Sequence, residues 1–159
     1  MSFNITKFEE KVQQGLELLK VSCSASQISQ LIMFSAEFFK WNSIHNLSAI
    51  NDEDDYLSAN VMDSLAVILP ILKTVQKGLM PEHAQIADLG VGGGFPGMLL
   101  AIFIPDFEFF LVEAIRKKTA FLQHIKGRLK LSNVHVIDQR IENFAQQRPH
   151  SMDATKIGR

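Results

Sequence analysis

The residues best suited to chemistry in this sequence are a cluster of glycines that directly follows a carboxylate. Five of the nine glycines lie between residues 90 and 97, just after Asp88. Glycine lets the backbone adopt positive φ and approach a ligand closely, and the first turn of a following helix offers free N–H groups. So many glycines cost conformational entropy on folding, which a plain connector would not require. The cluster therefore predicts a ligand-binding loop.

Two classes of ligand use such a loop, and the spacing of the glycines bears on the choice. Gly90, Gly92 and Gly94 fit the pattern G-x-G-x-G, which is typical of S-adenosylmethionine sites. A second frame, from residue 92 to residue 97, fits the dinucleotide pattern G-x-G-x-x-G. Asp88 favours the first ligand, because a carboxylate at the strand tip repels a pyrophosphate and attracts the cationic amino end of S-adenosylmethionine.

A second acid, Glu113, ends the next predicted strand, 25 residues after Asp88. An acid at this place in nucleotide-binding folds accepts hydrogen bonds from the ribose hydroxyls. The alternative is a solvated carboxylate at a strand end. After the third predicted strand, Asp138 or Glu142 is placed to approach the adenine edge, while Arg140 is placed to pair with one of these acids.

Strands and helices alternate after residue 80, and this alternation positions the acids at one edge of a sheet. We expect strands over residues 85–89, 107–113 and 133–138, with helices over residues 98–104 and 116–130 between them. Alternating elements favour a parallel sheet of right-handed β-α-β units. The predicted fold class is therefore α/β, with a Rossmann-like core.

The first 80 residues follow a helical pattern instead. Phe8, Val12, Leu16 and Leu19 recur at spacings of three and four, as along one apolar helix face. A second helix is expected from Ser24 or Ser26 to about residue 41, followed by a loop over residues 42–51. A third helix follows the acids at 52–55 and runs toward residue 72, with Pro70 kinking or ending it. We expect a helical segment (1–80) and a partial S-adenosylmethionine-binding core (81–159) in one compact domain.

Composition excludes several classes of protein. Sixteen basic and seventeen acidic residues give a net charge of −1, so no overall positive field attracts nucleic acid. The lone cysteine, Cys23, fits a reducing compartment. The five histidines lack metal-ligand spacing. The N-terminus has no signal-peptide pattern, and the most apolar run, residues 98–104, is too short to span a bilayer. We expect a cytoplasmic protein with no metal and no membrane partner.

At this point the sequence resembles the bacterial RsmG (GidB) methyltransferases. The shared motifs extend over roughly residues 35 to 145, and the Gly-Phe-Pro-Gly ending of the glycine loop is more specific than the glycines alone. In chain order the motifs are Trp41-Asn42 with Asn46-Leu47, Asp63-Ser64-Leu65, the loop from Asp88 to Gly97, Leu111-Val112-Glu113, Lys117-Lys118 with Phe121-Leu122, Leu129 and Leu131 with Asn133-Val134, and Arg140 with Glu142.

The resemblance implies an S-adenosylmethionine-dependent enzyme that methylates N7 of a guanine in 16S ribosomal RNA, free or in a small-subunit assembly intermediate. It places cofactor contacts at Gly90, Phe95, Ile141 and Glu142. Guanine N7 carries a lone pair and no proton, so the transfer needs no general base and we assign no catalytic residue. Asp88 and Phe95 are candidates for stabilising the positive charge that the methylated base gains.

RNA binding at a net charge of −1 requires clustered basic residues. Residues 116–130 carry six of the sixteen lysines and arginines. We expect phosphate contacts from this helix beside the cofactor, and the alternative is an ordinary solvated helix face. The RNA-binding candidates are Arg116, Lys117, Lys118, Lys126 and Arg128.

The sequence departs from the family pattern in two places. Ala59 and Asn60 stand where the family has a basic residue and a histidine. Residues 150–159 fit neither a strand nor an amphipathic helix, and we expect a truncated or frame-shifted chain that lacks the C-terminal half of the sheet. Two other functions therefore stay open: a non-catalytic remnant with weak or no cofactor binding, and a methyltransferase that acts on a small molecule.

Overall fold

The structure, a computed structural model, describes residues 4–50 and 52–146, and it confirms the α/β fold class with a helical N-terminal segment. Residues 150–159, whose pattern fitted no element, lie outside the described residues. The first five helices precede the sheet, and the other helices alternate with its strands.

Helices α1 (Ile5–Leu19) and α2 (Ala25–His45) begin at side chains that cap their free N–H groups. The Asn4 side chain accepts a hydrogen bond from the Lys7 amide. Ser24 and Gln27 form a reciprocal capping box, which identifies Ser24 rather than Ser26 as the N-cap. The end of α2 was predicted too early, since the helix continues past residue 41 to His45 and includes part of the expected loop.

The third predicted helix is divided into several pieces. Helix α3 (Glu53–Tyr56) continues as a π-helical segment (Leu57–Met62) and then as α4 (Asp63–Ala66). The helix is interrupted at Val67, and α5 (Ile68–Gln76) follows. Pro70 was expected to kink or end this helix; the helix does not end there but is interrupted at Val67, three residues earlier. Because Pro70 lies in the first turn of α5, its missing N–H is one that a helix start leaves unpaired in any case.

This stretch is also apolar over a longer span than residues 98–104, the run that the sequence analysis took as too short to cross a bilayer. By length and composition alone, Glu53–Gln76 could cross a membrane, with a mean hydropathy of 1.3 over its most apolar part. However, Val67 interrupts the stretch, and its residues Tyr56, Val61 and Leu65 are fully buried in the protein core. The segment is therefore weak evidence for a membrane helix.

Three parallel strands form one sheet in the described part of the chain, in the order β1 (Gln85–Leu89), β2 (Glu108–Glu113), β3 (Val134–Asp138). Between them lie α6 (Gly97–Phe103) and α7 (Arg116–Leu129), and α8 (Ile141–Gln146) follows β3. The central strand β2 is buried along almost its whole length, as expected for a parallel sheet covered on both faces.

Aromatic side chains of α2 join the helical segment to the glycine loop. The Phe95 ring lies 5.3 Å from the Phe34 ring and 5.5 Å from the Phe38 ring, both at steep angles. Tyr56 is 5.6 Å from Phe95, and Phe121 of α7 is 6.1 Å from Phe38. Such edge-to-face contacts add to the free energy of burying the rings. The loop therefore rests on a floor built by residues that precede the sheet in sequence.

Candidate functional site

The carboxyl ends of the three strands meet at one edge of the sheet, as the predicted alternation requires. Leu89 pairs with Val112, and Glu113 pairs with Asp138. The glycine loop leaves β1 at this edge, and the turn into α7 leaves β2 beside it. In open parallel sheets, ligands bind in the crevice outside the carboxyl ends of the strands.

The glycine loop has the backbone conformation that its sequence predicts. Gly90 and Gly92 have φ values of +78° and +60°, a region that costs other residues roughly 1–2 kcal/mol. A Cβ atom at either position would meet its neighbours at ordinary van der Waals distances, the nearest at 3.6 Å, so neither position is closed by a clash. The Gly90 amide donates to the Val112 carbonyl at 2.8 Å, which fixes the loop to β2.

Glu113 holds this loop in place. Its side chain is buried, and Oε2 accepts a hydrogen bond from the Gly92 amide at 3.0 Å. Oε1 accepts from the amides of Ala114 and Ile115, each at 2.9 Å. Because a carboxylate has about four acceptor positions, one acceptor position of Glu113 is not used by these three amides. The sequence indicated a ribose contact but gave no sign of this structural role.

The carboxylate of Asp88, like that of Glu113, accepts a hydrogen bond from the glycine loop. Its Oδ2 accepts from the Gly97 amide at 2.8 Å, where α6 begins. Burial raises the pKa of the Asp88 carboxyl above its usual range, and the Gly97 hydrogen bond partly opposes the rise. A Cβ at Gly97 would lie 2.7 Å from the same oxygen, so this glycine is required by packing. The second oxygen of Asp88 makes no hydrogen bond within the described chain.

Two of the expected cofactor residues face the protein interior. The Phe95 ring packs among Phe34, Phe38 and Tyr56, and Gly94 is buried, with a hypothetical Cβ only 3.1 Å from Phe34. The Phe95 ring and the α-carbon of Gly94 therefore lie on the side of the loop that faces α2. Gly94 offers a ligand only backbone atoms, while the Phe95 ring is half-buried in this packing.

An open pocket of about 230 Å³ brings most of the other candidates together. This size is below the roughly 300–1,000 Å³ of complete small-molecule pockets, so it suits the nucleoside part of a larger ligand. The Ile141 side chain is 41% exposed and reaches over Gly90. The pocket is lined by Gly90, Val112, Glu113, Ala114, Gln139, Arg140, Ile141 and Glu142.

Gln139 is a pocket residue that the sequence analysis missed. Its Oε1 atom is buried and has no hydrogen-bond partner in the part of the chain that the structure describes. Only its place directly after β3 could have suggested a role. Asp138, in contrast, is exposed and does not line the pocket.

The five basic candidates do not form a single surface. Lys117 and Lys126 lie about 14 Å apart along α7, at 1.5 Å per residue, and nine residues place them on opposite sides of the helix. Arg128 approaches Glu37 at 3.7 Å. The Lys117 ammonium donates to the carbonyls of His45 and Asn46, at 2.7 and 2.9 Å. Arg116 and Lys118 are left at the start of α7, beside the site.

The positions that depart from the family pattern lie on the π-helical segment. Ala59 is exposed, and Asn60 is half-buried. The Oδ1 atom of Asn60 is buried without a hydrogen-bond partner among residues 4–50 and 52–146. In the same residues, no group of three or more histidine, cysteine, aspartate or glutamate side chains is arranged to hold a metal ion.

The chain was compared with known protein families and with curated proteins. Residues 27–156 match the family model described as GidB, rRNA small subunit methyltransferase G. A protein of Polynucleobacter asymbioticus named ribosomal RNA small subunit methyltransferase G is 44% identical over 140 residues, which are 88% of this chain and 61% of that protein. Proteins of the same name from Bordetella avium and Fusobacterium nucleatum are 37% and 36% identical, over 86% and 89% of this chain.

The match covers most of this chain but only part of each relative. The aligned region is 59% of the Bordetella protein and 57% of the Fusobacterium protein, so the chain spans about three fifths of the length of these relatives. The family model covers far more than half of the chain. The resemblance seen in the sequence motifs is confirmed: the chain belongs to the rRNA small subunit methyltransferase G (GidB) family.

Proposed function

We propose that this chain binds S-adenosylmethionine at the carboxyl edge of its sheet and methylates N7 of a guanine in 16S ribosomal RNA. The observation that carries the proposal is the contact between Glu113 and Gly92, which places a buried acid and an open glycine loop on one pocket. The substrate is ribosomal RNA, free or in a small-subunit assembly intermediate, because the curated relatives carry that name. A cytoplasmic location and a reaction without metal follow from this proposal.

The pocket beside Gly90 would take the adenosine part of the cofactor. Glu113 has one acceptor position left for a ribose hydroxyl, since three backbone amides occupy the others. Ile141 offers an exposed apolar surface against which a base can lie. Gln139 and Glu142 supply polar atoms at the rim. These residues fit the nucleoside in size and in chemistry.

Asp88 would attract the cationic amino end of the cofactor. It stands at the end of β1, where the glycine loop begins, and one of its oxygens is free of hydrogen bonds in the described chain. A half-buried carboxylate acts on a nearby ammonium through a lower effective dielectric than water provides. The positive φ of Gly90 and Gly92 leaves the backbone uncovered between the two ends of the ligand.

Bound S-adenosylmethionine supplies an electrophilic methyl group on a sulfonium. The protein has no proton to remove, because guanine N7 attacks with its lone pair. The task of the loop, Asp88 and Glu113 is therefore to hold the cofactor so that the attacking nitrogen, the carbon and the sulfur lie in line. Asp88 and the half-buried Phe95 ring are the candidates for stabilising the positive charge of the product base.

Calorimetric titration with S-adenosylmethionine and transfer of a labelled methyl group to small ribosomal subunits together test the proposal. Micromolar binding with label in guanine N7 of 16S RNA is the expected result. Binding without transfer to RNA, but with transfer to a small molecule, would replace the substrate part. The absence of both binding and transfer would support a non-catalytic remnant and would contradict the proposal.

A further inference from the structure

A second open pocket lies across the β2–α7 turn from the one that is proposed for the nucleoside. We call it the acceptor groove. It has a volume of about 620 Å³ and is lined by Asn46, Leu47, Ser48, Ala49, Ile115, Lys117 and Lys118. Ala114 lines the nucleoside pocket and its neighbour Ile115 lines the groove. The two pockets therefore share one short turn of backbone, directly after Glu113.

One wall of the groove is the segment 46–49, which is held at both ends. Within it, the Ser48 amide donates to the side-chain oxygen of Asn42 at 2.8 Å, and the Asn42 side-chain amide donates to the Ile50 carbonyl at 2.9 Å. At the other end the Lys117 ammonium donates to two carbonyls where α2 ends. Lys117 ties this wall to α7.

The opposite wall carries an unusual concentration of positive charge. Helix α7 begins with Arg116, Lys117 and Lys118 and has no acidic residue in its first turn. Cations at the N-terminal end of a helix oppose the helix dipole. None of the three forms a salt bridge within residues 4–50 and 52–146. Arg116 and Lys118 thus stand where they oppose the helix dipole and have no acidic partner in the described residues, and this placement indicates an anion from outside.

Lys118 is the cation that reaches furthest toward the reaction site. Its Nζ lies 3.9 Å from the point that a Cβ on Gly92 would occupy, so it stands at the glycine loop. The Lys117 ammonium, in contrast, donates hydrogen bonds to the carbonyls of His45 and Asn46. Ile115, which also lines the groove, is 47% exposed and gives the groove an apolar floor.

We propose that the acceptor groove binds the backbone of a single-stranded RNA segment that carries the target guanine. This proposal rests on the proposed function. Lys118 contacts a phosphate, and Lys117 is a positioning residue that holds the 46–49 wall. Polar groups of Asn46 and Ser48 match the phosphate and 2′-hydroxyl oxygens. A single strand fits because the N7 edge of a base in an RNA duplex lies in a deep, narrow groove that side chains do not enter.

Two matched sets of variants test the two roles. The probe is a fluorescein-labelled single-stranded RNA of twelve nucleotides with one guanine, and its binding is followed by anisotropy from 50 to 300 mM KCl. Because one phosphate contact contributes about 0.7 to the logarithmic salt slope of single-stranded nucleic acid, Lys118→Ala should reduce the slope by about that amount. Lys118→Arg should restore it. Lys73→Ala, on the exposed side of α5, is the control and should leave the slope unchanged.

Lys117→Met should act through the wall instead. We expect weaker RNA binding together with faster amide hydrogen exchange over residues 46–49, and Lys117→Arg should restore both, because a guanidinium can also donate to two carbonyls. Lys118→Ala should leave that exchange rate unchanged. Equal exchange in Lys117→Met and the unchanged chain would overturn the positioning role.

S-adenosylhomocysteine binding, measured by calorimetry on every variant, separates this proposal from the proposed function. If Lys118→Ala loses the cofactor product and keeps the RNA slope, Lys118 belongs to the cofactor site and the acceptor groove is wrong. If the unchanged chain binds RNA with the expected slope but no S-adenosylhomocysteine, the proposed function fails and the groove stands. If Lys73→Ala changes the slope as much as Lys118→Ala does, binding is diffuse and the groove is overturned.

Discussion

The carboxylate of Glu113 accepts a hydrogen bond from the Gly92 amide at 3.0 Å, so the acid that ends β2 holds the loop that follows β1. The same side chain accepts from two amides of the turn into α7. The nucleoside pocket and the acceptor groove both border that turn. One buried carboxylate therefore holds two segments of backbone together around the site.

Replacing this carboxylate should weaken both the fold and cofactor binding. In Glu113→Gln, the amide NH₂ faces either the Gly92 amide or the pair of amides after β2, and two donors then meet. A buried donor without an acceptor costs about 1–3 kcal/mol, so urea unfolding should show a loss of that size. The affinity for S-adenosylmethionine should fall in the same variant.

Glu142→Gln is the matched control, because Glu142 lines the same pocket and is exposed. We expect its unfolding free energy to stay within about 0.5 kcal/mol of the unchanged chain. If Glu113→Gln unfolded like the unchanged chain, the hydrogen bonds to the loop would not contribute to stability, and any loss of cofactor affinity would then report a direct ribose contact.

Two glycine substitutions should have opposite effects on stability. Gly92 has φ +60°, so Gly92→Ala should cost roughly 1–2 kcal/mol in backbone strain, although its Cβ has space. Gly127 lies in α7 with nothing within 4 Å of a Cβ, so Gly127→Ala should gain about 0.5–1 kcal/mol. Thermal unfolding of the pair measures this difference. A stabilising Gly92→Ala would contradict the loop conformation.

The raised pKa of Asp88 predicts the direction of a pH dependence. Burial raises it in the folded chain above its ordinary value of 3.8, so the folded state binds the proton more tightly than the unfolded state. Its contribution to stability is therefore most favourable below pH 3.8 and is lost as the pH rises through the folded-state pKa. Asp88→Asn should remove this slope, as measured by urea unfolding between pH 4 and 7.

The ionisation of Asp88 should change the affinity for the cofactor in the direction opposite to its effect on stability. The ionised carboxylate attracts the amino end of S-adenosylmethionine, so affinity should fall as the pH drops through the raised pKa. Asp88→Asn should bind weakly at every pH in this range. A cofactor affinity that does not change with pH in the unchanged chain would move the ammonium contact elsewhere.

A buried hydrogen-bonded chain should show a marked asymmetry between its two members. The Tyr56 hydroxyl donates to Ser35 Oγ at 3.0 Å, and Ser35 Oγ donates to the Leu31 carbonyl at 2.9 Å. Tyr56→Phe leaves Ser35 its own acceptor, so it should cost about 0.5–1.5 kcal/mol. Ser35→Ala leaves a buried tyrosine hydroxyl without a partner and should cost about 1–3 kcal/mol. Urea unfolding that ranked the two variants in reverse would contradict this geometry.

The sequence predicted the sheet and its edge well, because these depend on local patterns. Alternating strand and helix signals gave three parallel strands whose ends were correct within about two residues. The glycine spacing gave the loop, and four expected residues line one pocket: Gly90, Glu113, Ile141 and Glu142. Periodicity and glycine placement are properties of a few neighbouring residues, so they can be recognised without tertiary contacts.

The errors come from contacts between distant residues. The side chain of Asn42 closes on residues 48 and 50, which lets α2 continue into a polar stretch that looked like a loop. The packing of the Phe95 ring against Phe38 of α2 was not predicted either, and the cofactor contact of Phe95 stays a prediction. The ammonium of Lys117 donates to two carbonyls more than 70 residues away, which the sequence did not indicate, and its RNA contact stays a prediction. No short window of sequence contains these partners.

The floor beneath the glycine loop gives the helical segment a further property. A Cβ on Gly93 would come within 2.7 Å of the Phe38 ring, so the loop and the middle of α2 touch without any spare room. When a ligand restrains the loop, motions of that ring must be damped as well, and the protection should spread along α2. Deuterium uptake near Phe38 would then report on cofactor occupancy from the opposite side of the loop.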